Sequence, residues 1–318
     1  MGAFSLPLRP PSAQPGAVMA MTLHCFGVAT PSGEAPRELA SLDLVGYSRK
    51  ASVSSTWLHP ADLNDDSAFH PAGRPSGLAI WISFGPIWLL APFLEHLAQQ
   101  HHERLKNLCG LIACSSSSAI TKRFAFIDFD RALVARLVNA EDQLLATCRR
   151  LDVPCRILPP SIIYGQVGSY GDRNLSRLLA LMRRLPLMLL PPHSGLRQPI
   201  HASQLAAVAL ELAQQMISPG LNPSLPERIA LGGDSEISYK AMLQALQQAL
   251  PANDPARHCY ICESPNRLFF LLAAPLLLRS PKAFEAVLRI GADLAGFTPC
   301  HQLLDQPPQP FPVLPLAL

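Results

Sequence analysis

The sequence predicts an α/β protein: a doubly wound parallel sheet joined to a smaller, mainly helical C-terminal lobe. Three observations carry this. Short apolar or β-branched runs alternate with longer segments of helical period, the pattern of parallel βαβ units. From about residue 165 that alternation gives way to helices with few strands. Finally, 318 residues with 49% hydrophobic and 15% charged side chains suit one large domain with a companion and exclude a disordered chain.

Residues 1–20, "MGAFSLPLRPPSAQPGAVMA", are rich in Pro, Ala and Ser, without the basic start and continuous apolar core of a secretion signal, and are expected to be a disordered extension. Strands are expected at 23–29, 42–48, 54–59, 78–84, 108–114 and 155–163. Helices fit 86–101 and 130–151; in the second, Leu133, Leu137, Ala140 and Leu144 recur on one face. The later helices are expected at 174–185, 202–216, 238–250, 265–278 and 282–295. The resulting division is a main domain over 21–165, a lobe over 166–305 with segments returning to the main domain, and a Pro-rich tail over 306–318.

Composition narrows the function classes. The net charge of +3 comes from dispersed Lys and Arg with no basic block, which argues against nucleic acid as partner. Eight cysteines in a chain of this length suggest reduced thiols and a cytoplasmic location. The Cys259-x-x-Cys262 pair lacks a second ligand pair at zinc spacing and reads as core packing, so no metal is expected. "LAIWISFGPIWLLAPFL", residues 78–94, is broken at its centre by Ser83, Gly85 and Pro86 and reads as strand, turn and helix rather than a transmembrane segment. "LFFLLAAPLLL", residues 268–278, is too short to span and contains Pro275, so it reads as a buried or interfacial helix pair, which leaves room for peripheral membrane contact.

The first strand runs into "FGVATPSGE", where glycine at a strand end lets backbone approach a pyrophosphate at a helix N-terminus; an ordinary strand-turn-helix connection is the alternative. Gly27 and Gly33 stand six apart, and the stretch resembles the G-x-x-G-x-x-G turn of the extended short-chain dehydrogenase/reductases, the nucleotide-sugar epimerase and dehydratase type, with Thr30 in place of the middle glycine. The second strand ends in "GYSRK" with no acidic residue for a ribose hydroxyl. Arg49 suits a 2'-phosphate instead, so NADP is expected ahead of NAD, unless Arg49 and Lys50 are solvated turn charges. Asp62-Leu63 after the third strand resembles the pair that flanks the adenine in that family.

The resemblance continues in "CSSSSAITK", residues 114–122, similar to the family's Ser/Thr-rich strand end, and implies that Ser117 holds a substrate oxygen near the nicotinamide. The alternative is a polar strand cap. The family's Tyr-x-x-x-Lys is missing: the matching segment "ALVARLVNAE" has neither residue, although Glu141 fits the acidic position that often follows. Lys122 and Tyr164 are the candidate substitutes for proton transfer, with a solvated loop charge and a packed ring as their respective alternatives. "RILPPSIIYG", with Pro159 for the usual Arg, and "LRQPIHASQLAAVALELA" extend the resemblance to roughly residues 21–305. Arg173, Asn174, Arg197 and Gln198 are then the candidate substrate-binding residues, an Arg pair suiting a sugar-nucleotide diphosphate, and helix capping by Asp172 or Asn174 being the alternative.

What the resemblance implies is an NAD(P)-dependent oxidoreductase or epimerase/dehydratase-like enzyme acting on a nucleotide sugar or a similar carbonyl or alcohol. The missing Tyr/Lys pair keeps a catalytically inactive NAD(P)-binding scaffold or sensor as the alternative. A homodimer is compatible with either.

Overall fold

The computed structural model describes residues 21–39, 43–49, 57–67, 69–71, 77–122, 127–217, 225–265, 267–271, 274, 287 and 289–313. The extension expected over 1–20 and about half of the stretches expected as helices over 265–278 and 282–295 lie outside these residues.

Six strands, β1 (Met21–Phe26), β2 (Asp43–Ser48), β3 (Leu58–Pro60), β4 (Leu78–Ser83), β5 (Leu108–Cys114) and β6 (Cys155–Leu158), form one sheet in the order β3-β2-β1-β4-β5-β6. Every pairing is parallel. The central strands β1, β4 and β5 are short and buried on both faces, so they read as near-continuous apolar runs. Two boundaries differ from the sequence expectation. The first strand stops at Phe26 because Gly27 turns the chain with φ +76°. The run expected over 155–163 splits after Leu158, where Pro159 and Pro160 offer no N–H to a ladder. Its remainder, Ile163–Tyr164, pairs with Ile200–His201 in a separate short ladder.

Helices cover both faces. α1 (Pro31–Leu39) follows β1; α2 (Ile87–Gln100) follows β4; the single turn α3 (Ser118–Thr121) and the long α4 (Asp128–Arg150) follow β5. α4 has Asp128 and Asp130 in its first turn and Arg149 and Arg150 in its last, charges that match the helix dipole at both ends. Leu90, Leu94 and Leu97 of α2 pack with Leu137 and Leu144 of α4 on one side of the sheet. α5 (Leu175–Met182) leads away from the sheet, but α6 (Ala202–Ile217) returns to it, burying Leu205, Val208, Ala209 and Leu212 against Leu23, Ile80 and Ile112. A separate cluster joins α5 and α7 (Tyr239–Ala249) through Leu175, Leu179, Met242, Leu243 and Leu246. That cluster also holds a parallel pair absent from the sequence reading, Leu187–Leu190 with Tyr260–Glu263. Cys259 is buried at the entrance to this pair and Cys262 lies within it; all eight cysteines are free. Among the described residues no helix is long and apolar enough to cross a membrane.

One buried histidine has a measurable consequence. His24 in β1 is 2% exposed, with Nδ1 2.8 Å from the Tyr47 hydroxyl, and burial pushes its pKa down to about 4, the nearby His59 adding to the effect. In the unfolded chain the imidazole titrates near about 6.5. Between the two values the unfolded state binds the extra proton, so this contribution is complete above about pH 6.5 and is lost as pH falls toward 4. On the order of 3 kcal/mol is expected to disappear across that window. Denaturant titrations from pH 7 to pH 4 should show it, and His24→Asn should flatten the slope; an unchanged slope in the variant would refute the assignment.

Candidate active site

The sheet order reverses between β1 and β4, whose carboxyl ends diverge toward helices on opposite faces and leave a crevice there. The two chains leaving these strands meet almost backbone to backbone: the Phe84 N–H donates to the Phe26 carbonyl at 2.9 Å. A Cβ on Gly27 would stand 2.4 Å from the Gly85 nitrogen, and a Cβ on Gly33 would stand 2.2 Å from the Gly27 carbonyl oxygen. Both glycines are therefore steric requirements of the turn. The Thr30 hydroxyl is bonded within the turn. Its Oγ1 donates to the Gly27 carbonyl at 2.8 Å and accepts from Gly33 N–H at 3.1 Å, which makes it the cap of α1 with Pro31 as the first helical residue. Pro31 has no N–H and that of Gly33 is already bonded, so this helix start presents fewer free donors than an all-glycine turn.

The crevice is about 500 Å³ and is walled by Gly27 to Thr30, Ser48, Arg49, Ala61 to Leu63, Phe84 to Trp88 and Cys114 to Ser116. It thus brings together Gly27, Thr30, Arg49, Asp62 and Leu63, with Gly33 directly beneath the turn. Among the described residues that line it, Arg49 is the one cation and Asp62 the one carboxylate. Asp62 accepts from the Asn64 N–H at 3.0 Å and the Asn64 side-chain amide at 2.9 Å, and these bonds, with a smaller effect of Arg49, hold its carboxyl below the usual range. Burial pushes the Cys114 thiol up to about 12, so it stands on the wall as a neutral group. Ser83 Oγ, buried at the end of β4, has no hydrogen-bond partner among the described residues.

The four serines divide. The Ser115 hydroxyl donates to Glu141, a 4% exposed carboxylate that also accepts from Arg228 Nε at 2.9 Å. Ser116 Oγ accepts from the Ser118 N–H at 3.2 Å, which leaves its own O–H to donate elsewhere. Ser117 starts α3 and donates its N–H to the Pro160 carbonyl at 3.0 Å; it does not line the crevice, whereas Ser115 and Ser116 do. Glu141 was visible in the sequence, but its partner Arg228 lies 87 residues away with no motif to signal it.

The other proton-transfer candidates are also held away from the crevice wall. Lys122 donates to Asp130 at 2.8 Å, and Asp130 also accepts from Arg289, so the ammonium is half of a largely buried ion pair. Tyr164 is 1% exposed, its ring edge-on to His201 and Phe311, and its hydroxyl accepts from the Val313 N–H at 2.9 Å. Burial raises its pKa above the ordinary tyrosine value, opposite to what a base requires. The geometry is that of the packed-ring alternative.

The candidate substrate residues separate in the same way. Arg197 is 2% exposed and donates to the carbonyls of Leu196, Ala292, Arg289 and Ile290 while its guanidinium lies over Tyr239. Gln198, equally buried, donates to the carbonyls of Gly233 and Phe297 and accepts from the Phe297 N–H. These two hold the chain together: the Gln198 amide and the terminal nitrogens of Arg197 are spent on main-chain carbonyls. Arg173 is exposed, and so is Asn174, whose N–H donates to Asp172 at 2.8 Å. Asp172 is the real cap of α5, accepting also from Leu175 N–H at 2.7 Å.

Known structures share this architecture. UDP-glucuronic acid 4-epimerase from Bacillus cereus, in complex with NAD, is 11% identical over 91% of this chain and 92% of its own, with a TM-score of 0.58. A nucleoside-diphosphate-sugar epimerase from Staphylococcus aureus is 15% identical over 91% and 98%, at 0.58. MoeE5, in complex with UDP-glucose and NAD, is 14% identical over 91% and 94%, at 0.56. No family model matches the sequence, and no curated protein matches it. The fold is thus the Rossmann-type α/β fold of these enzymes.

Proposed function

We propose that the crevice binds a nicotinamide dinucleotide, NADP ahead of NAD, and that the protein acts as an oxidoreductase or epimerase/dehydratase-like enzyme on a nucleotide sugar or a similar carbonyl or alcohol. The observation that carries the reading is the backbone crossing of Gly27 and Gly85 at the topological switch point, with Arg49 on the wall where β2 ends. Gly27 and Gly85 would leave room for the pyrophosphate, Arg49 would pair with the 2'-phosphate, and Asp62 and Leu63 would flank the adenine. When bound, the dinucleotide supplies hydride chemistry. Ser116, with an O–H left to donate on the crevice wall, takes over the role of holding the substrate oxygen that the sequence assigns to Ser117. Glu141 and Arg228 position Ser115 beside it. Support for the substrate class comes from the solved neighbours, which include two epimerases and one protein in complex with UDP-glucose. Residues 166–305 would form the substrate lobe, with Arg173 and Asn174 as its exposed polar candidates.

One observation favours a second reading. Among the described residues, no histidine, lysine or glutamate lines the crevice, and Lys122 and Tyr164 are engaged elsewhere. A dinucleotide-binding scaffold or sensor without catalysis would need none. Calorimetric titration of NADPH and NADH, run beside turnover on a panel of nucleotide sugars and small ketones, separates the two. NADPH is expected to bind more tightly, and Arg49→Ala to lower its affinity by about 1.5–3 kcal/mol, one charge-assisted contact. Ser116→Ala should lower turnover and leave cofactor affinity nearly unchanged. Equal affinities for the two cofactors in the wild type would remove the 2'-phosphate role of Arg49. Tight binding with no turnover would select the scaffold.

A further inference from the structure

Outside the crevice, the turn after β3 meets the end of α2 in a cluster of metal-ligating side chains: Asp66, His96 and His101. His96 Nε2 lies 3.6 Å from Asp66 Oδ1, and His101 Nε2 lies 3.4 Å from Asp66 Oδ2. All three residues offer ligand atoms within 4.8 Å of one another. Around a tetrahedral zinc ion with bonds of about 2.0–2.1 Å, neighbouring ligand atoms stand about 3.3–3.4 Å apart. The two separations, one to each oxygen of the Asp66 carboxylate, are close to that edge length, so either oxygen can serve as the third ligand after a small shift of one imidazole.

We propose that Asp66, His96 and His101 form a binding site for a divalent transition metal of the zinc type, with two imidazoles and one carboxylate as ligands and a fourth position open to water. The surroundings fit a built site. His101 turns its other ring nitrogen, Nδ1, toward Glu103 Oε1 at 3.4 Å, the carboxylate-histidine arrangement that fixes the tautomer of a metal-ligating imidazole. Arg104 orients the third ligand from behind, donating to the Asp66 carbonyl at 3.0 Å and to Oδ2 at 3.3 Å. A carboxylate has about four lone-pair positions, so the guanidinium and a metal can share it. The ligand set also matches the metal. Imidazole and carboxylate together suit zinc and its neighbours, whereas magnesium or calcium would require oxygens throughout. Access is open, since the side chains of His96 and His101 are 52% and 35% exposed while Asp66, at 18%, forms the floor. None of the three lines the crevice. The competing arrangement is purely electrostatic, with the two histidines serving only as proton-dependent partners of Asp66.

The test uses the full chain, freed of metal by chelator and dialysis, with Zn²⁺ as the calorimetric probe and Co²⁺ as the spectroscopic one. One equivalent of Zn²⁺ is expected to bind and to raise the melting temperature with concentration. His96→Ala and His101→Ala should each weaken binding at least tenfold, and Glu103→Gln by about tenfold through the second nitrogen of His101. His258→Ala, at an exposed and unrelated histidine, should change nothing. Co²⁺ should give the intense visible bands of a four-coordinate site without a thiolate charge-transfer band. Asp66→Asn also perturbs the Arg104 contacts and can unfold the turn, so the surface variant His96→Ala carries the decision. Absence of Zn²⁺ uptake, undiminished affinity in both histidine variants, or a thiolate band from one of the free cysteines would overturn the proposal.

Discussion

Gly27→Ala is expected to destabilise the protein by about 2–4 kcal/mol and to abolish dinucleotide binding by whatever fraction remains folded. Two costs combine. The residue holds φ +76°, a conformation that a Cβ disfavours, and the added methyl would stand 2.4 Å from Gly85 N and 2.7 Å from the Phe84 carbonyl carbon. Both obstacles are backbone atoms of the adjoining β4 end, so relief requires β1 and β4 to move apart rather than one side chain to rotate. Gly85→Ala provides the contrast. A methyl there meets Leu63 Cδ1 at 3.6 Å and Ser83 Oγ at 3.7 Å, ordinary contact distances, but it projects from the wall of the crevice. That variant should therefore melt like the wild type and bind NADPH more weakly. The pair of measurements, denaturant midpoint and calorimetric affinity, separates a glycine required for folding from one required for a ligand. Gly27→Ala with an unchanged midpoint would mean that the crossing is looser than its geometry, and the tight turn would lose its standing as the basis of the site.

The sheet was readable because its signals are local. Five of the expected strands fall within a few residues of β1, β2, β4, β5 and the start of β6, and helices 86–101 and 130–151 correspond to Ile87–Gln100 and Asp128–Arg150. Apolar runs bounded by Gly and Pro require no knowledge of distant partners. The wall of the crevice was readable for the same reason, since Gly27, Thr30, Arg49, Asp62 and Leu63 each follow a strand end. What sequence could not supply was the use to which a polar group is put. Thr30 stands where the motif has its middle glycine, and its hydroxyl is used to cap α1. Ser117 was selected from four serines by position in a motif, but the turn into α3 leaves Ser115 and Ser116 on the wall. Tyr164 follows a strand edge in sequence, yet its hydroxyl is taken by Val313, 149 residues later. Long-range pairing of this kind decides function, and neither spacing nor periodicity encodes it.

Arg197 gives the sharpest division between a ligand-binding and a structural role. Its guanidinium reaches four main-chain carbonyls, three of them in residues 289–292, and thereby attaches that segment to the short strand Leu196–Arg197. Truncation would remove four hydrogen bonds from a charged group and also the contact over Tyr239. Arg197→Ala is accordingly expected to cost about 2–4 kcal/mol, from the lost charge-assisted hydrogen bonds and the lost contact over the ring. Arg197→Lys should recover little of this, because a single ammonium cannot reproduce a planar fork that serves several carbonyls. Arg173→Ala, at an exposed position, should shift the denaturant midpoint by less than about 0.5 kcal/mol. If Arg197 instead gripped the diphosphate of a nucleotide sugar, the pattern would invert: stability would be retained in Arg197→Ala and substrate affinity would fall. Denaturant midpoints of the three variants, each beside a titration with UDP-glucose, distinguish these outcomes, and a stable Arg197→Ala protein would restore the guanidinium to the substrate site.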